Sequence, residues 1–300
     1  MQLKNLRIFR LADARPLDIE QLQTQLEQRA FVSGSSQDPV SIGWAEPRHG
    51  EGLAYGPNGQ ILLSVRSEKK LLPSSVINQV AQAKARDIEE EQGYRPGRKQ
   101  MREIKEQVIT ELMPRAFSVH RDTSVWIDPV NRWLVVDTAS NAVGDEVMGL
   151  IAKTFDPFPA LPLYTELSPA AAMTSWLAED EAPAGFSIDQ DTELRSTSER
   201  RATVRYVRHS VDTNEVRNHI EAGKQCTRLA LTWNDKISFV LDDGLALKRV
   251  TPLDVLKDQN DTISGDDTER FNSDMALMTA ELAALISDLV EALGGEKVVV

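Results

Sequence analysis

Residues 2–11 set Leu3, Leu6, Ile8, Phe9 and Leu11 in near alternation, the spacing of a strand with one buried face. Pro16 then opens a helix that carries Ile19, Leu22 and Leu26 on one side. Segments 40–45, 52–56 and 60–66 read as short strands, with Pro57-Asn58-Gly59 as a tight turn between the last two. Trp126-Ile127-Asp128 and Trp133-Leu134-Val135-Val136 flank Pro129-Val130-Asn131-Arg132, which predicts a hairpin. An amphipathic helix over 143–155 and a Pro-rich strand near 157–165 follow.

The stretch 178–202 is polar and acidic and is broken by Pro183 and Gly185, so it predicts a linker or mobile surface segment. Beyond it, 203–209 and 226–250 are rich in β-branched and apolar residues, with Asp243-Gly244 placed for a turn between strands. A short helix over 213–222 lies between them, with Asp212 as N-cap, Glu215 completing a capping box and Gly223 as its stop. Residues 274–293 predict a long helix closed by Gly294-Gly295.

Two more helices fill the remaining interval, from Ser74 to Glu91 and from Gly97 to Met113, joined by Gly93-Tyr94-Arg95-Pro96-Gly97 as an αα-hairpin. Strands and helices do not alternate as βαβ units, so the class is α+β. The expected organisation is a discontinuous α+β domain over 1–72 and 122–177 and a helical finger over 73–121. The linker over 178–202 then leads to a second α+β domain over 203–300.

Composition changes this picture little. A chain of 300 residues, 41% apolar and 27% charged, is ordinary globular material. A single cysteine, Cys226, excludes an intrachain disulfide. No apolar run approaches the roughly 18 residues needed to cross a bilayer, and Met1-Gln2-Leu3-Lys4-Asn5 carries no apolar leader, so a cytoplasmic protein without membrane contact is expected.

Charge changes it more. The net charge is −12, a poor prior for a nucleic-acid binder, but it is unevenly spread. Residues 66–121 carry 12 basic and 8 acidic side chains, whereas 250–300 carry 3 basic and 11 acidic. Within the second finger helix Met101, Ile104, Val108 and Leu112 share one face, and Arg98, Arg102 and Lys105 form a stripe beside it. Lys84 falls within the apolar arc of Val76, Ile77 and Val80 and has to snorkel. Phosphates ask only for positive charge and donors at regular spacing. The residues offered to them are Arg66, Lys69, Lys70, Lys84, Arg98, Lys99, Arg102, Lys105, Arg115 and Arg121; the competing reading is a solvated helix face.

Searches for chemistry find no catalytic set, metal site or cofactor motif. His49, His120, His209 and His219 show no ligand spacing, and the lone helical His219 reads as a surface or packed side chain. Gly223-Lys224 lacks the Gly and Ser/Thr of a phosphate loop, because Asn218 and Gln225 stand there. Asp258, Asn260 and Glu269 fit three positions of a calcium loop, but Ile263 stands where Gly is required. Cys226 reads as a buried hydrophobe and Asp242-Asp243 as turn residues. The terminal helix presents a wide arc of Met275, Met278, Leu282, Leu285, Ile286, Leu289 and Leu293, which suits either a core or a subunit interface.

Seven separated blocks carry a resemblance over essentially the whole length. They are Ser36-Gln37-Asp38, Leu71-Leu72-Pro73-Ser74, Met113-Pro114-Arg115-Ala116-Phe117-Ser118, Trp126-Ile127-Asp128, Asn218-His219-Ile220-Glu221-Ala222-Gly223-Lys224, Leu256-Lys257-Asp258-Gln259-Asn260, and the terminal run from Met278 to Leu285 with Glu291 to Glu296. In these blocks the chain resembles the RdgC family of bacterial recombination-associated proteins. The resemblance implies a nucleoid-associated, non-enzymatic protein that binds duplex DNA without strong sequence preference. It also implies a ring-shaped homodimer around the duplex that negatively modulates a RecA-type recombinase. In such a ring the basic finger lines the hole while acids face outward, and Tyr94 at the finger tip and Leu282, Leu285 and Leu289 on the terminal helix become the candidate dimer contacts. Two other functions fit the residues: a module whose basic finger grips an acidic protein, and a metal-dependent nuclease using scattered carboxylates.

Overall fold

The computed structural model describes residues 3–11, 17–155, 160–198, 202–208, 213–256 and 266–297. Pro16, His209, Asp212, Asp258, Asn260 and Ile263, singled out above, lie outside these residues.

The first half of the chain builds strands β1 (Leu6–Leu11), β2 (Val40–Ala45), β3 (Ile61–Leu71), β4 (Phe117–Asp128), β5 (Trp133–Asp137) and β6 (Ala160–Pro162). Its helices are α1 (Ile19–Glu27), α2 (Ser74–Gln92), α3 (Arg98–Leu112) and α4 (Asn141–Thr154). The second half adds α5 (Pro169–Glu179), β7 (Phe186–Ser196), β8 (Thr203–Tyr206), α6 (Thr213–Glu221), β9 (Lys224–Trp233), β10 (Ile237–Asp242), β11 (Ala246–Pro252) and α7 (Asp267–Ala292).

Local chemistry accounts for most of the boundaries. Asp18, Ser140, Ser168 and Asp266 each accept a backbone N–H from the first turn of the helix that follows, removing one of its orphan donors. Gly93 ends α2 at φ 77, a left-handed conformation that costs glycine little. The β4–β5 hairpin closes as its sequence predicts, with Asp128 accepting from the backbone of Val130 and Asn131. Asp242 holds the β10–β11 turn in the same way, accepting from Gly244 and Ala246.

Among the described residues, the 11 strands join one antiparallel sheet in the order β2-β3-β4-β5-β1-β11-β10-β9-β7-β8, with β6 alongside β1. The α+β class holds. One sheet runs through both expected α+β domains, because β1 pairs with β5 on one side and with β11 on the other. Leu6, Ile8 and Trp126 from the first half share one core cluster with Leu194, Leu229, Leu241 and Leu285 from the second.

Two expectations need correcting. Residues 186–196, read as part of a linker, form β7, paired with β8 and β9. The polar pattern misled because β7 covers helices with one face only and turns its acids to the other. Residues 52–56 form no strand beyond a single Tyr55–Leu62 bridge, since Gly52 sits at φ +81 and breaks the extended run.

The sheet is clad unequally. In the first half α1 and α4 pack on one face through Leu22, Leu26, Val147 and Ile151. The other face meets α7, whose Met275 packs with Tyr55 and Leu62. In the second half α5, α6 and α7 contribute Met173, Val216 and Leu282 to the core beneath the sheet. On the opposite side of β9, β10 and β11, Arg228, Thr232, Ser238 and Lys248 reach solvent.

Candidate nucleic-acid interface

The helices α2 and α3 form a hairpin at the outer ends of β3 and β4. They pack on each other through Ala81, Ile104 and Val108, with Ile77, Val80, Met101 and Leu112 at the margin, as the 3.6-residue period predicts. This small core is separate from those of the sheet. Gln37 tethers its base by donating to the Thr110 carbonyl at 3.4 Å.

The ten candidate cations divide by their partners. Arg66 is committed to Asp122 by two bonds of 2.7 Å each, which lowers the Asp122 carboxyl below its ordinary value. Lys84 snorkels to Glu111 across the hairpin. Arg102 has only a loose contact to Glu106 at 3.8 Å. Among the described residues Lys69, Lys70, Arg98, Lys99, Lys105, Arg115 and Arg121 have no ion-pair partner within 4.0 Å. Arg98, Lys99, Arg102 and Lys105 all stand exposed on α3.

The strand cations do not join this row as one group. Direct cross-strand partners share a face, so Lys69, opposite Val119, and Arg121, opposite Ser67, lie on one side of the β3–β4 ribbon. Arg66 and Lys70 lie on the other.

The proposed subunit contact on the last helix is corrected. Leu282, Leu285 and Leu289 are 0%, 0% and 1% exposed within the chain itself, so that arc is core and offers nothing to a second copy. Tyr94, by contrast, is 63% exposed at the hairpin tip.

Two features escaped the sequence reading. The first is apolar. Val40, Ile42, Leu71, Val119 and Phe117 share the Lys69–Arg121 face of the outer sheet, and Phe117 is 83% exposed. Its signal was present in the alternation of Phe117 and Val119, which runs on past the end of the core.

The second is a line of charges crossing the open face. Arg205 of β8, Glu193 of β7, Arg228 of β9 and Asp242 of β10 are successive cross-strand partners, and Lys248 of β11 closes the line on Asp242 at 2.7 Å. Glu193 is 2% exposed. Its carboxylate accepts from Arg205, from Arg195 at 2.9 Å and from the Thr227 hydroxyl at 3.0 Å, with Arg228 at 3.5 Å. Burial works to raise this carboxyl, but the bonds from Arg205 and Thr227 and the neighbouring positive charges outweigh it and hold the group below its ordinary value. Arg249 reaches Asp191 at 3.1 Å beside it.

Cys226 lies buried in β9, as expected, and burial pushes its thiol up to about 12. Among the described residues no three His, Cys, Asp or Glu side chains converge as a metal site would require, and no helix is long and apolar enough to cross a membrane.

Known proteins agree with the resemblance. A family model described as "Putative exonuclease, RdgC" matches residues 1–296. The recombination-associated protein RdgC of Bordetella parapertussis is 59% identical over 297 residues, covering 99% of each chain. Those of Herminiimonas arsenicoxydans and Cupriavidus necator are 57% and 53% identical over the same length, again covering 99% of each chain. The full-length match, through the finger, the sheet and the terminal helix alike, shows that this chain belongs to the RdgC family.

Proposed function

We propose that this chain binds duplex DNA without sequence preference and, as a homodimer closed around the duplex, limits the access of a RecA-type recombinase. The observation that carries the reading is the α3 row of Arg98, Lys99, Arg102 and Lys105, exposed and without a strong acidic partner in a chain of net charge −12. Cations left free in so acidic a molecule suit a polyanion backbone, and the row carries no element that reads base edges. The recombination-associated names of its relatives supply the process, and the nucleoid is where such a complex resides.

A closed two-fold ring needs two contacts between subunits. The apolar outer face of β2, β3 and β4 takes over from the terminal helix as one of them. Tyr94 at the hairpin tip remains the other, separated from the first by the length of α2, about 28 Å. The protein acts by obstruction and breaks no bond; a direct recombinase contact is an addition this mechanism does not need.

The test is fluorescence anisotropy on two unrelated duplexes over a range of salt. With about five to eight phosphates neutralised per dimer, log affinity falls against log salt with a slope of roughly −5 to −7. A flat salt response, or a preference of about a hundredfold for one sequence, overturns the reading. The family model's description makes hydrolysis the second reading. End-labelled duplex that shortens only with added magnesium would establish it, and heparin that competes poorly while an acidic protein competes well would favour a protein partner.

A further inference from the structure

We propose that the open face of β7–β11 is a second phosphate seat, in which buried Glu193 acts as a positioning residue for Arg205 and Arg228 and Arg249 completes the site for one backbone phosphate of duplex DNA. The assignment rests on the duplex-binding reading above and adds a contact far in sequence from the finger.

Donor accounting favours it. A guanidinium offers five N–H donors. Arg205 spends Nε and one terminal nitrogen on Glu193, Arg228 spends one terminal nitrogen on it at 3.5 Å, and Arg249 spends one on Asp191. The remaining donors have no protein partner among the described residues, and the three side chains are 58%, 43% and 68% exposed. Each group is therefore anchored at one edge by an acid and free at the other. That is the arrangement that fixes a fork-shaped donor before a phosphate arrives, so little side-chain freedom is lost on binding.

Shape points the same way. Arg205, Arg228 and Arg249 line a depression of about 220 Å³ together with Tyr206 and Val240. Pockets that swallow whole organic ligands start at roughly 300 Å³, so this one suits a single phosphate group on a longer chain. Sign matters as well. Arg195, Arg205, Arg208, Arg228, Arg249 and Lys248 stand on this face against the carboxylates of Asp189, Asp191, Glu193 and Asp242, leaving a small positive surplus in an acidic molecule.

The test uses the full chain and the same labelled duplex. Arg228→Gln with Arg249→Gln leaves Arg195 and Arg205 on Glu193, so the fold is kept, as far-UV circular dichroism checks. The expected result is a salt slope shallower by about one to two, with affinity down about tenfold at moderate salt. Glu193→Gln is the second arm. It makes the net charge less negative by one, so diffuse attraction alone would tighten binding, whereas loss of positioning weakens it several-fold. An unchanged slope in the double variant, or tighter binding by a folded Glu193→Gln protein, overturns the seat while leaving the finger reading intact. Failure of the unmodified chain to bind duplex at all overturns both.

Discussion

The hairpin of α2 and α3 and the open face of β7–β11 both offer cations to solvent, but they organise them in opposite ways. On α3 Arg98, Arg102 and Lys105 sit about one helical turn apart, each on its own stem, and the pair that forms within this row, Arg102 to Glu106, is long and exposed. On the sheet the arginines converge from different strands onto one carboxylate that is 2% exposed. The first group is additive, because each side chain meets water independently. The second is a network whose members depend on a shared buried charge, so removing one changes the cost of keeping the rest. The supporting cores differ in the same sense. Three fully buried side chains hold the hairpin, whereas the sheet shares a continuous core with helices from both halves.

The largest expected effect tests whether these regions stand apart. Leu285→Asp puts an unpaired charge into the shared core and costs about 4 kcal/mol or more, enough to unfold the chain. Ile104→Asp does the same to the hairpin core alone. All five tryptophans, at 44, 126, 133, 176 and 233, lie outside 73–121, so their fluorescence reports the sheet. Ile104→Asp should lower the helical far-UV signal and leave tryptophan emission native. Loss of both signals together would make hairpin and sheet one cooperative unit.

A smaller effect separates network from row. Arg205→Ala strips a principal partner from buried Glu193 and should cost about 2 kcal/mol, less than a bare buried charge because Arg195 and Arg228 remain. Arg102→Ala should fall within about 0.5 kcal/mol of the unmodified chain. Urea midpoints measure both, and equal costs would erase the distinction.

Acid sharpens the same contrast. The Glu193 carboxyl lies below its ordinary value in the folded chain, so its contribution is complete above the unfolded carboxylate value and is lost as pH falls through the folded one. The stability gap between the unmodified chain and Glu193→Gln should therefore be widest near neutrality and close in acid. A gap that stays constant down to about pH 3 would mean that the carboxylate's charge contributes nothing to stability. The smallest expected effect is no reaction at all. With its thiol pushed up to about 12, Cys226 should resist thiol reagents at about pH 8 until the chain is unfolded, and rapid labelling of native protein would place an opening motion beneath the arginine network.

Much of this was legible in the sequence, and what was not failed for identifiable reasons. The hairpin could be read to within a residue or two because Met101, Ile104, Val108 and Leu112 keep one period and because Gly93 and Pro114 stop the helices. The arc of Leu282, Leu285 and Leu289 was equally plain, but periodicity reports that a face is apolar and is silent on what covers it. In β7 the alternation was hidden, because register shifts between Ile188 and Thr192 and between Glu193 and Leu194 break the period of two and the solvent face carries acids. The arginine network had no linear signature, since residues 195, 205 and 228 meet on Glu193 only through strand pairing and Arg249 reaches Asp191 beside them.

The last helix, α7, has a mechanical consequence. Its 26 residues run about 39 Å, and along that length it holds Tyr55 and Leu62 of the first half at Met275 and the second-half core at Leu282, Leu285 and Leu289. It acts as a splint across the middle of the sheet, so bending one half against the other would have to shear a continuous row of buried side chains. The chain is then stiff along its middle, with its compliance at the ends. If, as proposed, two copies close around a duplex, the joint that yields is the contact between them. The dwell time on a circle of DNA would be set by how fast that joint parts, and stiffening the interior of the chain further would not lengthen it.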